Sequence, residues 1–166
     1  ATTYDSWVLN AGPNGEKADN KWYISNAETF VGKNALYISS DGGKSLSYVD
    51  KTIYNVAYKE IFLPKGVYDL SFTWKCEGEI GADGLYVCWV PSKMATNSSV
   101  TSEPTFIKNT KLVFDGVDFL CGSKEWKTST TVITHQSTSL YKLVFVWKND
   151  ESGTFAPSIV IDNIQI

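Results

Sequence analysis

The sequence predicts an all-β fold, specifically a two-sheet antiparallel β-sandwich with jelly-roll connections. Three observations predict it: apolar and polar residues alternate with the period of a strand, turn-type residues separate the alternating runs, and no window has a convincing helical period. The chain has 166 residues, which suits one domain with a single core. About eight strands in a domain of this length indicate a sandwich or a barrel, and the long connections favour a jelly roll.

The individual strands follow from this alternation. The runs Val67 to Cys76 and Tyr141 to Lys148 place apolar side chains on one face, which is typical of a strand that packs on a core. The run Leu85 to Val90 is apolar on both faces and predicts a central strand that is covered on both sides. Further strands are predicted at Lys21 to Ser25, Ala35 to Ser39, Ile53 to Leu63, Trp126 to Thr134 and Ser158 to Ile166.

The last of these runs contains an aspartate, Asp162. In a regular strand its side chain shares an apolar face with Val160 and Ile164. Burying an unpaired carboxylate is costly, so we expect Asp162 either to accept hydrogen bonds from backbone N–H groups or a lysine, or to bind a metal ion. Calcium is the metal that takes several oxygen ligands, and further oxygen donors lie at Asp5, Asp19, Asn20 and Asp41 without EF-hand spacing.

Charge and hydropathy exclude two classes of partner. The formal net charge is -3 and the pI is about 5.1, so the chain offers no basic field for a nucleic acid. No apolar run is long enough to cross a bilayer, so we expect no direct membrane insertion. The start, ATTYDSW, has neither the basic nor the apolar region of an export signal, which leaves the compartment open.

The three cysteines, Cys76, Cys88 and Cys121, show no CxxC spacing, so we expect no structural zinc site. Small buried free thiols are the simplest interpretation. Cys76 and Cys88 flank a predicted hairpin, so a disulfide between them is the alternative.

The sequence offers little for catalysis. The only histidine, His135, follows a predicted strand and is expected at the surface or in a capping position, with no nucleophile tied to it. Glu77, Glu79 and Asp83 could form the carboxylate pair of a glycosidase. Acidic residues in a glycine-containing turn are usually solvated, so we predict that the chain is not an enzyme.

Aromatic residues are the candidates for ligand binding. The chain has six Trp and nine Tyr residues, and most of these rings are expected to pack in the core. An exposed ring could stack on the face of a sugar. Trp7, Tyr23 and Trp126 lie near predicted strand ends, while Tyr86 and Trp89 occupy opposite faces of one strand, and these five residues are the predicted ligand-binding set.

Several stretches, taken in order, are similar to a known family. They are WYISNA from Trp22, then ALYISSDGGKS, VAYKEIFLPKGVYDLSFTWKCEGE, DGLYVCWVP from Asp83 to Pro91, and YKLVFVWKND with the ending SIVIDNIQI. Together they resemble the cleaved-adhesin (choice-of-anchor J) domains of bacterial, Bacteroidetes-like surface proteins. The resemblance extends from about Trp22 to Ile166.

This resemblance implies a jelly-roll sandwich related to MAM domains and carbohydrate-binding modules. It also implies that residues 1–166 form a single module of a larger secreted or cell-surface protein, with neighbouring domains in the parent chain. Such domains often carry a structural calcium ion. By position, Asp162 would be a ligand or near neighbour of the ion, and Asp5 is a second candidate ligand.

We therefore predict a non-catalytic extracellular domain for adhesion or ligand binding, whose partner is a glycan or a host or cell-surface protein. The first alternative is an accessory carbohydrate-binding module of a polysaccharide-degrading enzyme. The second alternative is a glycoside hydrolase.

Overall fold

The computed structural model describes residues 3–166, which form nine strands, two short helices and their connections. All the predicted strands are present, and the class prediction is confirmed. The sequence did not predict the short first strand or either helix. The elements are β1 (Trp7–Val8), α1 (Gly12–Glu16), β2 (Lys21–Ser25), β3 (Ala35–Ser39), β4 (Ile53–Leu63), β5 (Gly66–Cys76), β6 (Gly84–Pro91), α2 (Ile107–Thr110), β7 (Ser123–His135), β8 (Ser139–Asn149) and β9 (Val160–Gln165).

The strands form two antiparallel sheets. Sheet A has four strands in the order β1-β4-β8-β6, and sheet B has five in the order β2-β3-β9-β5-β7. Strands β5 and β6 are neighbours in sequence but lie in different sheets, so the predicted hairpin between them is wrong. Cys76 faces the core and Cys88 packs on the outside of sheet A, and all three cysteines are free thiols.

The core lies between the inner faces of the two sheets. Leu70, Phe72 and Trp74 of β5 face Phe145 and Trp147 of β8, and all five side chains are buried. Each such side chain contributes roughly 1.5–3 kcal/mol when it is fully buried. The strong alternation of apolar and polar residues in β5 and β8 therefore indicates which side of each strand faces the core.

Part of the outer face of sheet A is also covered. Cys88 and Val90 of β6 and Val144 of β8 point away from the main core and pack in a second cluster with Phe106 and Ile107. These two residues belong to the long β6–β7 connection, which crosses this face. The prediction that β6 is covered on both sides is confirmed, but its central position is wrong because β6 is the edge strand of sheet A.

The last strand is irregular. Thr73 of β5 pairs with Asp162 and Ser71 pairs with Gln165, so β9 has one more residue than β5 between the two pairs. Asn163 has a positive φ of 52° at this bulge. Asp162 therefore faces outward with Thr73, while Ile164 packs against the core, and the prediction that these two residues share an apolar row is wrong.

His135 also differs from its predicted position. It is 1% exposed, and its Nδ1 accepts a hydrogen bond of 3.4 Å from Nε1 of Trp89. The expectation of a surface histidine is therefore wrong. Among residues 3–166, no helix is both long enough and apolar enough to cross a bilayer.

Candidate functional site

The outer face of sheet B carries an aromatic patch, defined here as Trp126, Phe30, Lys75 and Glu28. Trp126 lies on β7 and Lys75 on the adjacent strand β5. Their side chains point outward because Trp74 and Cys76, on either side of Lys75, face the core. Phe30 and Glu28 come from the β2–β3 connection, which lies over the same face.

The patch is held together by ring and charge contacts. The Phe30 and Trp126 ring centroids are 5.5 Å apart with an interplanar angle of 56°. The Nζ of Lys75 lies 5.5 Å from the centre of the Trp126 ring and also forms an ion pair with Glu28. Phe30 is 50% exposed and Trp126 is half-buried, so both rings keep accessible surface.

Asp162 positions the loop that supplies Phe30. Its Oδ2 accepts hydrogen bonds of 2.9 Å from the backbone N–H groups of Phe30 and Val31. Its Oδ1 accepts 2.8 Å and 2.7 Å bonds from the backbone N–H of Asn163 and the hydroxyl of Tyr4. A carboxylate has about four acceptor positions, so these donors use all of them. Asp162 is therefore a positioning residue for the aromatic patch.

Hydroxyl groups extend the patch along β5 and β7. The Oγ1 atoms of Thr73 and Thr128 lie 2.9 Å apart, directly across the strand pair. Thr128 and Thr130 are exposed next to Trp126 along β7. The face therefore combines accessible rings with cationic, anionic and hydroxyl groups, which can stack on and hydrogen-bond to a polar ligand with an apolar face.

Of the five predicted aromatics, only Tyr23 and Trp126 lie on the outer face of sheet B. Tyr23 on β2 begins a row of paired residues that continues through Tyr37, Val160 and Lys75 toward Trp126. The Tyr23 ring is half-buried at the far side of this row. Tyr23 and Trp126 thus lie on opposite sides of the outer surface of sheet B.

Tyr86 and Trp89 belong to sheet A. Tyr86 faces outward, 4.8 Å from the ring of Phe119 and 5.9 Å from Nζ of Lys111, and burial raises the pKa of its hydroxyl. Trp89 is 7% exposed and packs in the core against Tyr141. The expectation of an exposed ring at Trp89 is therefore corrected, because its strand is apolar on both faces and the sequence does not show which face is inward.

Trp7 lies at one end of the sandwich. Its ring stacks on Phe145 with centroids 5.6 Å apart and planes 8° apart. Its Nε1 is buried and has no hydrogen-bond partner among residues 3–166. Trp7 lies in sheet A with its ring against the core, whereas the aromatic patch is on the outside of sheet B.

Three carboxylates meet where β5 and β8 end. Oxygens of Glu79, Asp83 and Asp150 all lie within 4.8 Å of one another. Burial raises the pKa of Asp83, and the Asp150 charge adds to this, although Tyr48 donates a 2.5 Å hydrogen bond to Asp83. Burial and the charges of Asp150, Asp83 and Asp50 raise the pKa of Glu79. In the described part of the chain, these three residues are the group whose geometry could hold a cation.

The predicted metal residues, Asp162 and Asp5, lie outside this group. Asp162 is saturated with hydrogen-bond donors, and Asp5 is exposed near the start of β1. Their role as calcium ligands stays a prediction. Glu77, from the predicted acidic turn, instead pairs with Lys124 at 3.1 Å.

The sequence prediction missed Phe30, Lys75 and Glu28. Phe30 is a single apolar residue in the polar stretch NAETFVGKN, which is a signal for a loop residue with a specific contact. The sequence alternation places Lys75 on the solvent-facing side of β5. Its position next to Trp126 depends on the pairing of β5 with β7, which is not a local property of the sequence.

Solved structures of other proteins have a fold similar to that of this chain, whereas two other comparisons found no match. No protein-family model matches the chain, and no curated protein matches its sequence. Solved structures do match. A family 61 carbohydrate-binding module in complex with β-1,4-galactotriose is 16% identical, with 97% of this chain and 87% of that chain covered and a TM-score of 0.51.

Two further structures match over nearly the whole chain. The CBM22-2 xylan-binding domain from Paenibacillus barcinonensis Xyn10C is 12% identical, with 98% of this chain and 91% of that chain covered and a TM-score of 0.51. The enzymatically active domain of tailspike protein 4 from bacteriophage CBA120 is 10% identical, with 98% of this chain but 19% of that chain covered and a TM-score of 0.54.

At these identities the comparisons show the fold alone. They do not confirm the cleaved-adhesin resemblance, which remains a prediction. The chain is similar in fold to the β-sandwiches of carbohydrate-binding modules.

Proposed function

We propose that this chain is a non-catalytic glycan-binding domain whose ligand lies on the aromatic patch. The observation that carries the proposal is the half-buried Trp126 ring beside the 50%-exposed Phe30, with Lys75, which is ion-paired with Glu28, over the Trp126 ring. A sugar presents C–H groups on its ring face and hydroxyl groups around its edge. An aromatic ring flanked by charged and hydroxyl groups complements both.

The coverage of the two outer faces supports this location. The central part of the outer face of sheet A is covered by the β6–β7 connection, whose Phe106 and Ile107 are themselves buried. On sheet B the outward side of β7 is open from Thr128 to Thr134. An extended ligand could therefore contact Trp126 and continue along the hydroxyl groups of β7.

The similarity in fold supports the ligand class and selects the first probes. Galactotriose and xylan are named for two of the matching structures, so β-1,4-galacto-oligosaccharides and xylo-oligosaccharides are the first candidates. We infer a secreted or cell-surface location and a place as one module of a larger chain. Whether that chain serves adhesion or polysaccharide degradation is decided by its other domains.

A glycan panel with two aromatic variants tests the proposal. We expect the wild-type chain to bind at least one oligosaccharide and Trp126→Ala to lose roughly 1–3 kcal/mol of binding free energy, by analogy with the stacking of a nucleic-acid base on an aromatic side chain. Phe62→Ala is the matched control because Phe62 is 63% exposed on sheet A. Equal affinities in the wild type and Trp126→Ala would exclude this site, and no binding to any glycan would exclude the function.

The glycoside hydrolase alternative is tested with the same panel. The carboxylates of Glu79 and Asp83 are the pair that the alternative requires. Turnover that is present in the wild type and lost in Glu79→Gln would establish an enzyme. We expect no turnover in either protein.

A further inference from the structure

A concave site lies beside β1, the edge strand of sheet A, and none of its lining residues belongs to the aromatic patch. It is a groove of about 300 Å³ between β1, β4, β8 and the C-terminal end of β9. Its walls are mainly apolar, with Leu63, Leu143 and Ile164 contributing from three strands. The remaining lining residues are Thr3, Trp7, Lys59, Ile61 and Ile166.

Lys59 has an unusual place in this groove. Trp7, Lys59 and Leu143 are paired across β1, β4 and β8, so they form one row on the inner face of sheet A. Leu143 in this row is 1% exposed and belongs to the core. A lysine in such a row normally pairs with a carboxylate. Within residues 3–166, however, Lys59 has no ion pair.

A second polar group at this site is the indole N–H of Trp7, a residue whose ring lines the groove. Its Nε1 is one of two buried side-chain atoms without a hydrogen-bond partner in the described part of the chain. Buried donors are almost always paired, because an unpaired donor loses its hydrogen bonds to water. Among the residues described, the site therefore combines a lysine without an ion pair and a buried, unused N–H donor, and the other lining side chains, apart from Thr3, are hydrocarbon.

We propose that this groove binds a small monocarboxylate with an apolar body. The carboxylate accepts hydrogen bonds from Lys59 Nζ and Trp7 Nε1, and the hydrocarbon packs on Leu63, Leu143 and Ile164. Lys59 Nζ and Trp7 Nε1 are donors only and the Thr3 hydroxyl can also donate, so the complementary ligand is an acceptor, and the lysine favours one with negative charge. A volume of about 300 Å³ lies at the lower end of small-molecule pockets and suits a ligand of this kind.

The site is independent of the proposed glycan site. A neutral sugar would place many hydroxyl groups against apolar walls that cannot bond to them. The alternative for Lys59 is that its stem packs on the groove while Nζ remains in water. That arrangement predicts no preference for an anionic ligand, so the two explanations are separable.

The experiment compares octanoate with octanamide, which has the same hydrocarbon but no charge. Binding is measured by calorimetry and by the indole ¹H–¹⁵N signal of Trp7, assigned through its absence in Trp7→Phe. Lys59→Met removes the cation and retains an apolar stem. Lys93→Met, on an exposed lysine beyond β6, is the matched control. Thermal unfolding checks that each variant is folded.

We expect octanoate to bind about tenfold more tightly than octanamide, and the Trp7 indole signal to shift with octanoate. Lys59→Met should remove this preference, Trp7→Phe should weaken octanoate binding, and Lys93→Met should change neither. The proposal is overturned if octanoate shows no saturable binding at millimolar concentration, or if Lys59→Met retains the preference. Equal affinities for the two ligands in the wild type would also overturn it.

Discussion

The outer faces of the two sheets differ in how the connecting segments of the chain cover them. On sheet A, the apolar side chains of β6 and β8 are sealed by Phe106 and Ile107 of the β6–β7 connection. On sheet B, one half is covered by loops, and the other half presents Trp126 and a line of exposed threonines. The composition of each face accounts for the difference, because the outward positions of β6 are apolar and those of β7 are mostly hydroxylated.

The two outer faces of one architecture can therefore have different roles. The covered face contributes to stability, since its residues remove apolar surface from water. The open face is available to a ligand, and its rings are held by contacts from a loop. Substitutions on the covered face should therefore change the free energy of unfolding, whereas substitutions on the open face should change ligand affinity.

The largest expected effect is on the covered face. Ile107 is fully buried, so Ile107→Ala should lower the free energy of unfolding by about 2–5 kcal/mol through lost burial and a cavity. Val132 on the open face is 57% exposed, so Val132→Ala should change the free energy of unfolding by less than about 0.5 kcal/mol. Denaturant unfolding measures both. Similar losses for the two variants would contradict the comparison.

Asp162 links stability to the open face. Asp162→Asn replaces an acceptor-only group with one whose amide opposes the backbone donors of Phe30 and Val31. We expect a loss of roughly 1–3 kcal/mol in unfolding free energy and weaker glycan binding, although Asp162 contacts no ligand in our account. Asp69→Asn, on an exposed residue of the same face, is the control. Unchanged affinity in a destabilised Asp162→Asn would show that the loop does not position the patch.

The smallest expected effect concerns the three carboxylates. The raised pKa values of Glu79 and Asp83 mean that the folded chain binds more protons than the unfolded chain above their ordinary values of 4.5 and 3.8. Stability should therefore fall as pH rises from these values through the raised folded pKa values. Asp150→Asn removes one like charge, so it should flatten this decline and raise the melting temperature above the window by roughly 2–4 °C. Glu151→Gln, at the exposed neighbouring residue, should change neither the pH dependence of stability nor the melting temperature.

Calcium can be tested with the same variants. If calcium binds the folded chain, millimolar calcium should raise the melting temperature relative to chelator. Loss of the increase in Asp150→Asn would place the ion at the carboxylate group, and loss in Asp162→Asn would place it at the predicted position. No increase in the wild type would contradict a calcium site that stabilises the fold.

Much of the fold could be predicted because strand alternation is a local property of the sequence. The bounds of β2, β3 and β4 follow from their own residues. The assignment of β5 and β6 to different sheets could not be predicted, because it depends on contacts between distant parts of the chain. The bulge at Asn163 was missed for a related reason, since one inserted residue places Asp162 and Ile164 on opposite faces of the sheet.

The candidate site was less predictable than the fold. Trp126 was a candidate because it starts a predicted strand, and the structure places it on the open face. Trp89 was an equal candidate in sequence, but it is buried because the core takes one of two apolar faces of its strand. Phe30 and Glu28 reach the patch through a loop whose position depends on the distant Asp162.

The most direct test of the central claim is to locate a bound oligosaccharide by NMR. Chemical shifts of the ¹⁵N-labelled chain are followed during titration with β-1,4-galacto-oligosaccharides and xylo-oligosaccharides. We predict that the indole signal of Trp126 and the amide signals of Phe30 and Thr128 shift together, while the amide of Ile107 on the covered face does not. Saturable shifts confined to sheet A would contradict the account.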